Sequence, residues 1–205
     1  MRQTLIFITT LVMFTSCHTN KSSHSNTFQL LLPDTSKTHR PNVVYEHLKR
    51  YGIQMNLLRI DTGVKGFELR IWTGSMIDPD HMVLLRKSET VTIAQKFDYN
   101  SNFDSLEYYK LTNPYSNAAL TRFVDSLQKV DFTTMLSQNE IQDFQVNVAD
   151  GITYHMEIAT PKYYKLVTYH CPEYFAKTEA NNKKFVDLIL AVDKHLHFYL
   201  PTCSL

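Results

Sequence analysis

The stretch FELRIWT, Phe67 to Thr73, restricts the fold more than any other part of the chain. Phe67, Leu69 and Ile71 alternate with Glu68, Arg70 and Trp72, and a period of two places these rows on opposite faces of a β-strand. The same period returns where Ile152, Tyr154, Met156 and Ile158 make one face. Asp150-Gly151 is the turn before that segment, and Thr160-Pro161 is the tip of a hairpin after it. Leu57 to Ile60, His81 to Arg86, Thr90 to Phe97 and Leu106 to Leu111 read as further strands, joined by the turns DTGVKG and KSE.

Elsewhere the period is helical. Val44, Leu48 and Tyr51 recur at spacings of four and three, which predicts a short helix from Asn42 to Tyr51, stopped by Gly52. Leu120, Phe123, Val124 and Leu127 fall at i, i+3, i+4 and i+7 behind a capping Ser116 or Asn117. A last helix is expected over Thr178 to Leu196, with Phe185, Leu188, Ile189, Val192 and Leu196 in one stripe opposite Lys184, Asp187 and Lys194. Strands first and helices later, without regular βαβ alternation, make an α+β class. The expectation is an antiparallel sheet of about five to seven strands with one face covered by helices, including a C-terminal amphipathic helix. A content of 43% hydrophobic and 20% charged residues in 205 supplies one domain with a core.

The N-terminus is patterned differently. Arg2 is followed by an apolar run from Leu5 to Phe14, broken only by Thr9 and Thr10, and then by small Thr15 and Ser16 before Cys17. That is the order of a signal peptide. Ten residues of helix reach about 15 Å, half of a hydrocarbon core of roughly 30 Å, so a mature spanning anchor is not expected. The stretch Met13-Phe14-Thr15-Ser16-Cys17 resembles the lipobox of bacterial lipoproteins, with Ser16 the small residue beside the cut and Phe14 and Thr15 departing from the usual pattern. The resemblance implies cleavage before Cys17 and acylation of its thiol and new amine, a stable membrane anchor by the two-signal rule. The mature chain is similar to small envelope lipoproteins. No acidic run follows Cys17, so placement on the outer membrane facing the periplasm is expected. The domain plan is then residues 1–16 as signal, 17–40 as a Ser-, Thr- and Asn-rich tether and 41–205 as one α+β domain. The cluster Phe28 to Leu32 is the part of the tether able to dock.

Composition narrows the partners. Once Arg2 leaves with the signal, 20 Lys and Arg balance 20 Asp and Glu. Nucleic-acid binding wants a basic excess or stripe, so it is not expected; Lys183-Lys184 reads as a solvated helix face. The expected partners are the membrane, through the N-terminal lipid, and an envelope protein or ligand. Cys171 and Cys203 would meet an oxidising compartment and are candidates for a disulfide. The last helix carries the chain about 28 Å from Cys171. Residues 197–203 can retrace about 23 Å, so reach just permits the bond.

Motifs with chemical potential have plainer readings. Asp61-Thr62-Gly63 resembles the triplet of aspartic proteases, but Val64 follows where that family has Ala or Ser, and no supporting strand with its glycine is evident. A turn accounts for it. His155-Met156-Glu157 echoes the H-x-E of zinc deaminases without a C-x-x-C to complete it, so both side chains are placed on one strand face, exposed or paired with each other. His170, Cys171, His195, His197 and Cys203 match no standard zinc spacing. Asp78-Pro79-Asp80-His81 is ordinary turn chemistry. No catalytic residue, metal site or cofactor is therefore assigned. The tyrosines Tyr163, Tyr164, Tyr169 and Tyr174 remain as a candidate binding surface, although strand packing explains them as well. The leading expectation is a non-enzymatic binding or accessory lipoprotein. The rival is an envelope hydrolase, aspartic or metal-dependent, and it requires Asp61, Asp78, Asp80, His81, His155 and Glu157 to converge in a pocket.

Overall fold

A computed structural model describes residues 28–33, 42–74, 80–101, 106–112, 117–145 and 147–203. Seven strands form one sheet: β1 (Gln29–Leu31), β2 (Phe67–Gly74), β3 (Asp80–Lys87), β4 (Thr92–Ser101), β5 (Leu106–Thr112), β6 (Thr153–Ala159) and β7 (Tyr163–His170). Their order is β1-β7-β6-β2-β3-β4-β5. All neighbours are antiparallel except β1, which runs parallel to β7. The helices are α1 (Val43–Gln54), α2 (Asn117–Leu127), the short α3 (Pro172–Phe175) and α4 (Ala180–Leu196). The class is α+β, with the C-terminal helix in place.

The alternation of FELRIWT works as a strand should. Phe67, Leu69 and Ile71 join Val83, Leu85 and Ala94 in the core beneath α2 and α4, together with Tyr154, Met156 and Ile158 of β6. The opposite row is not left to solvent. Trp72 packs with Met82, Leu84, Phe97 and Tyr99 beneath Leu48 of α1, and Glu68 and Arg70 lie in the same layer, 0% and 3% exposed. A helix therefore crosses the second face as well. The run Met82 to Leu85, apolar at every position, is the local sequence consequence of a strand buried on both sides.

Four details differ from the sequence reading. Gly52 lies inside α1 rather than ending it, because a Cβ there would stand 3.2 Å from the Arg70 guanidinium that packs beneath the helix. The helix is closed instead by Asn56, whose φ of 55° lets Asn56 and Leu57 turn back to the carbonyls of Ile53 and Gly52. Leu57 to Ile60 is not a strand; it is an irregular segment crossing the sheet, with the Leu58 carbonyl accepting from Arg70 at 2.5 Å. Lastly, β1 falls within the segment assigned to the tether: Gln29 to Leu31 adds to the sheet in register with Tyr163 to Lys165.

Cys171 and Cys203 form a disulfide, with Cα atoms 5.5 Å apart. His197, at φ 54°, ends α4 in the left-handed conformation and turns the chain back toward β6. Gly151 makes room for the bridge, since a Cβ at that position would overlap the sulfur of Cys171. Glycine also supplies the φ of 146° that this turn adopts.

Candidate functional site

The two faces of the sheet offer two places for chemistry. On the α1 face, Glu68 accepts from Arg70 Nε at 2.8 Å and from Arg86 Nε at 2.5 Å. Arg70 also approaches Glu157 to 3.9 Å. Glu157 is fully engaged: Trp72 Nε1 donates to one oxygen at 2.7 Å and the Tyr164 hydroxyl to the other at 2.8 Å. Burial pushes the Glu157 carboxyl above the usual carboxylate range, against the pull of Arg70 and the two hydrogen bonds. Burial likewise raises the Tyr164 hydroxyl, and the neighbouring Glu157 adds to it.

Asp61 reaches the edge of this network. Arg59 donates to both of its oxygens, at 3.0 and 2.8 Å, and the Tyr45 hydroxyl donates at 2.6 Å. The hydrogen bond from Arg59 holds its carboxyl below the usual range. Asp61 and Glu157 line one cavity between α1, the crossing segment and the sheet, but that cavity measures about 20 Å³. Such a space holds about one water molecule. No substrate-sized group fits between the two carboxylates, and the remaining oxygen lone pairs face arginine, tyrosine and tryptophan donors already in place.

The other candidates disperse. His81 Nδ1 pairs with Asp98 at 2.6 Å, on the α2/α4 side of β3. His155 lies on the α1 side of β6, where its Nδ1 meets the Thr168 hydroxyl at 3.0 Å. His155 and Glu157 do share a face, but they are neither exposed nor paired with each other; burial drives the imidazole down to about 4. Asp80 begins β3, and Asp78 lies outside the described residues, as does Cys17. Asp61 remains in a turn closed by Gly63 N to the Ile60 carbonyl. Among the described residues no three of His, Cys, Asp and Glu stand close enough to share a metal ion.

The tyrosine surface does not form. Tyr164 and Tyr169 are both 0% exposed, and they point to opposite faces of β7. Tyr163 is half-buried and only Tyr174, on α3, is exposed. Strand alternation is the reason: residues five apart on one strand must face opposite ways, so Tyr164 and Tyr169 go to different cores.

What the sequence did not single out is a groove of about 460 Å³ between α2 and α4. One wall comes from α2 and its exit, with Phe123, Leu127 and Val130; the floor is Phe132 and Met135, buried at 1% and 0% exposure. The other wall is a line along α4 at helical spacing: Ala180, Lys184, Asp187, Leu188, Ala191 and His195. The loop between the walls is fixed at both ends. Thr133 donates to the Asp131 carboxylate, Lys184 Nζ donates to the Asp131 carbonyl at 2.8 Å, and the Tyr169 hydroxyl donates to the Leu136 carbonyl at 2.6 Å. The His195 ring stacks on Phe123 with centroids 4.5 Å apart and closes one end. Lys183, paired with Asp187 at 2.6 Å, sits on the rim. The lysines read as a solvated face thus border a cleft. The signal available in the sequence was Ala180 and Ala191, small residues flanking the buried stripe of α4, which leave space where larger side chains would close the helices together. A volume of this size, an apolar lining and a few polar groups at the edge are the ordinary properties of a ligand cleft. No protein-family model matches the chain, and no curated protein is found similar to it.

Proposed function

We propose that the chain is a lipid-anchored protein of the bacterial cell envelope, held to the outer membrane through Cys17 and facing the periplasm, whose folded domain binds an apolar ligand and does not catalyse. The α2/α4 groove is the observation that carries the binding role: it is large, lined by Phe123, Leu127, Phe132, Met135 and Leu188, and bordered by charge. The signal order ending at Ser16-Cys17 supports the anchor, and the Cys171–Cys203 bridge suits an oxidising compartment. The hydrolase alternative draws on the meeting of Asp61 and Glu157 at the small cavity, which leaves no room for a substrate.

Two measurements test the proposal. Mass spectrometry of the native protein should find an N-terminus at an acylated Cys17; an unprocessed Met1 terminus with a free thiol at Cys17 refutes the anchor. Titration with a naphthylamine fluorophore should give saturable, blue-shifted emission that Ala191→Phe, which fills the groove, removes. Linear, unsaturable emission in the unsubstituted chain refutes the binding role.

A further inference from the structure

We infer that the ligand of the α2/α4 groove is a fatty acid: a single acyl chain along the apolar floor, with its carboxylate at Lys184. This rests on the binding role proposed above and adds the class of ligand. The groove is apolar along Phe132, Met135 and Leu188, and its lysine and aspartate side chains gather where α4 presents Lys183, Lys184 and Asp187; toward the other end the Ser126 hydroxyl is spent on the Phe123 carbonyl and the His195 ring is stacked on Phe123. That asymmetry fits a molecule with one long apolar part and one charged end.

The sign of the charged end follows from how the three groups are used. Lys183 and Asp187 neutralise each other across one helical turn. Lys184 is half-buried, and its ammonium donates to the neutral carbonyl of Asp131. The nearby Asp131 carboxylate is engaged by the backbone N–H and hydroxyl of Thr133 and does not line the groove. A lysine ammonium has three donors, so two N–H bonds of Lys184 remain for a ligand. With the His195 ring neutral, the groove lining carries one net positive charge and two donors beside an apolar trough, while the Asp131 carboxylate acts on Lys184 from outside the lining. A carboxylate, with one negative charge, matches that count. A phosphate monoester, at about −1.5 to −2 near neutral pH, exceeds it and would call for arginine or further donors.

The test uses the full 205-residue chain carrying Cys17→Ser, so that no acyl group of its own competes, kept free of detergent. The probes are dansyl-labelled undecanoic acid and its methyl ester. The acid is expected to bind about tenfold more tightly than the ester, the scale of one charge-assisted hydrogen bond. Lys184→Gln, whose amide N–H can still donate to the Asp131 carbonyl and hold the loop, should remove that preference by weakening the acid alone. Asp187→Asn, which deletes the carboxylate in the lining, should tighten the acid about twofold and leave the ester unchanged, an improvement that misfolding cannot mimic. Ala191→Phe should abolish both. Equal binding of acid and ester, or an acid preference that survives Lys184→Gln, overturns the fatty-acid assignment while the groove remains a binding site. Binding of neither probe overturns the binding role itself, and binding that survives Ala191→Phe places the site elsewhere and overturns both.

Discussion

The two faces of the sheet are buried by opposite means. Beneath α2 and α4 the layer is largely apolar, with Thr73, Lys165 and Asn182 among its few buried polar side chains, and the helices stand far enough apart to leave a groove of about 460 Å³. Beneath α1 the layer holds Glu68, Arg70 and Glu157; the cavity at the carboxylates is about 20 Å³, and a more polar pocket of about 270 Å³ opens beside it, where the segment after α1 meets Arg86, Gln95 and Lys110. Hydrophobic contact is non-directional and tolerates a gap, whereas a buried charge must have partners at hydrogen-bond distance and draws its covering segment down onto it. The ionic cluster is therefore the closed part of its face, and the apolar face carries the wider and less polar space. Perturbed ionisation, often a pointer to active sites, occurs on both faces, at Glu157 and His155 beneath α1 and at Tyr154 and Tyr169 on the other side, and burial is its leading cause in each case.

The largest test of that contrast is Arg70→Ala. It leaves Glu68 with Arg86 as its remaining charged partner, takes the cation away from Glu157 and frees the Leu58 carbonyl beneath α1, and urea unfolding should report a loss of about 3–5 kcal/mol, the usual cost of breaking a buried ion pair. A loss under 1 kcal/mol would mean that water reaches this layer and that the faces differ less than described. Next is the bridge on the apolar side. Cys171→Ser with Cys203→Ser opens a loop with a sequence separation of 32 and should cost about 3–4 kcal/mol on loop entropy, measured by the same titration.

The third test concerns pH. The His155 imidazole titrates at about 4 in the fold against an ordinary value of 6.5, with burial as the cause. The unfolded chain thus takes up a proton that the folded one refuses. Stability conferred by the neutral ring is whole above pH 6.5 and is lost as pH falls toward 4, by on the order of 2–3 kcal/mol. His155→Gln should flatten this part of the pH–stability curve; an unchanged slope would locate the proton uptake elsewhere. The smallest effect has the opposite sign. Ala191→Leu adds apolar surface over the open groove and should raise stability by up to about 1 kcal/mol in thermal unfolding. The same kind of enlargement at Gly52, above the Arg70 guanidinium, has no such space to enter.

Much of this architecture was legible in local pattern. The period of two in FELRIWT and in the segment from Ile152 to Ile158, and the stripe from Phe185 to Leu196, each fix which side chains face a core, because backbone geometry alone sets those periods. Asp150-Gly151 and Thr160-Pro161 are turns for equally local reasons. The sequence thus determined most of the elements, the α+β class and one apolar face, but not β1 or the irregular course of Leu57 to Ile60.

Tertiary structure decided the rest. Glu68 and Arg70 read as a solvent row, since nothing within β2 says that α1 will lie across it. Their burial depends on Glu157, 89 residues along the chain from Glu68, and on a carbonyl at Leu58. The pairing of Cys171 with Cys203 was open on chain reach until the left-handed turn at His197 directed the tail back. The groove belongs to no single segment: it is the distance between α2 and α4, set by the loop that Lys184 and Tyr169 hold. Local periods follow from the backbone of one element, but a space between elements follows only from how several of them are held apart.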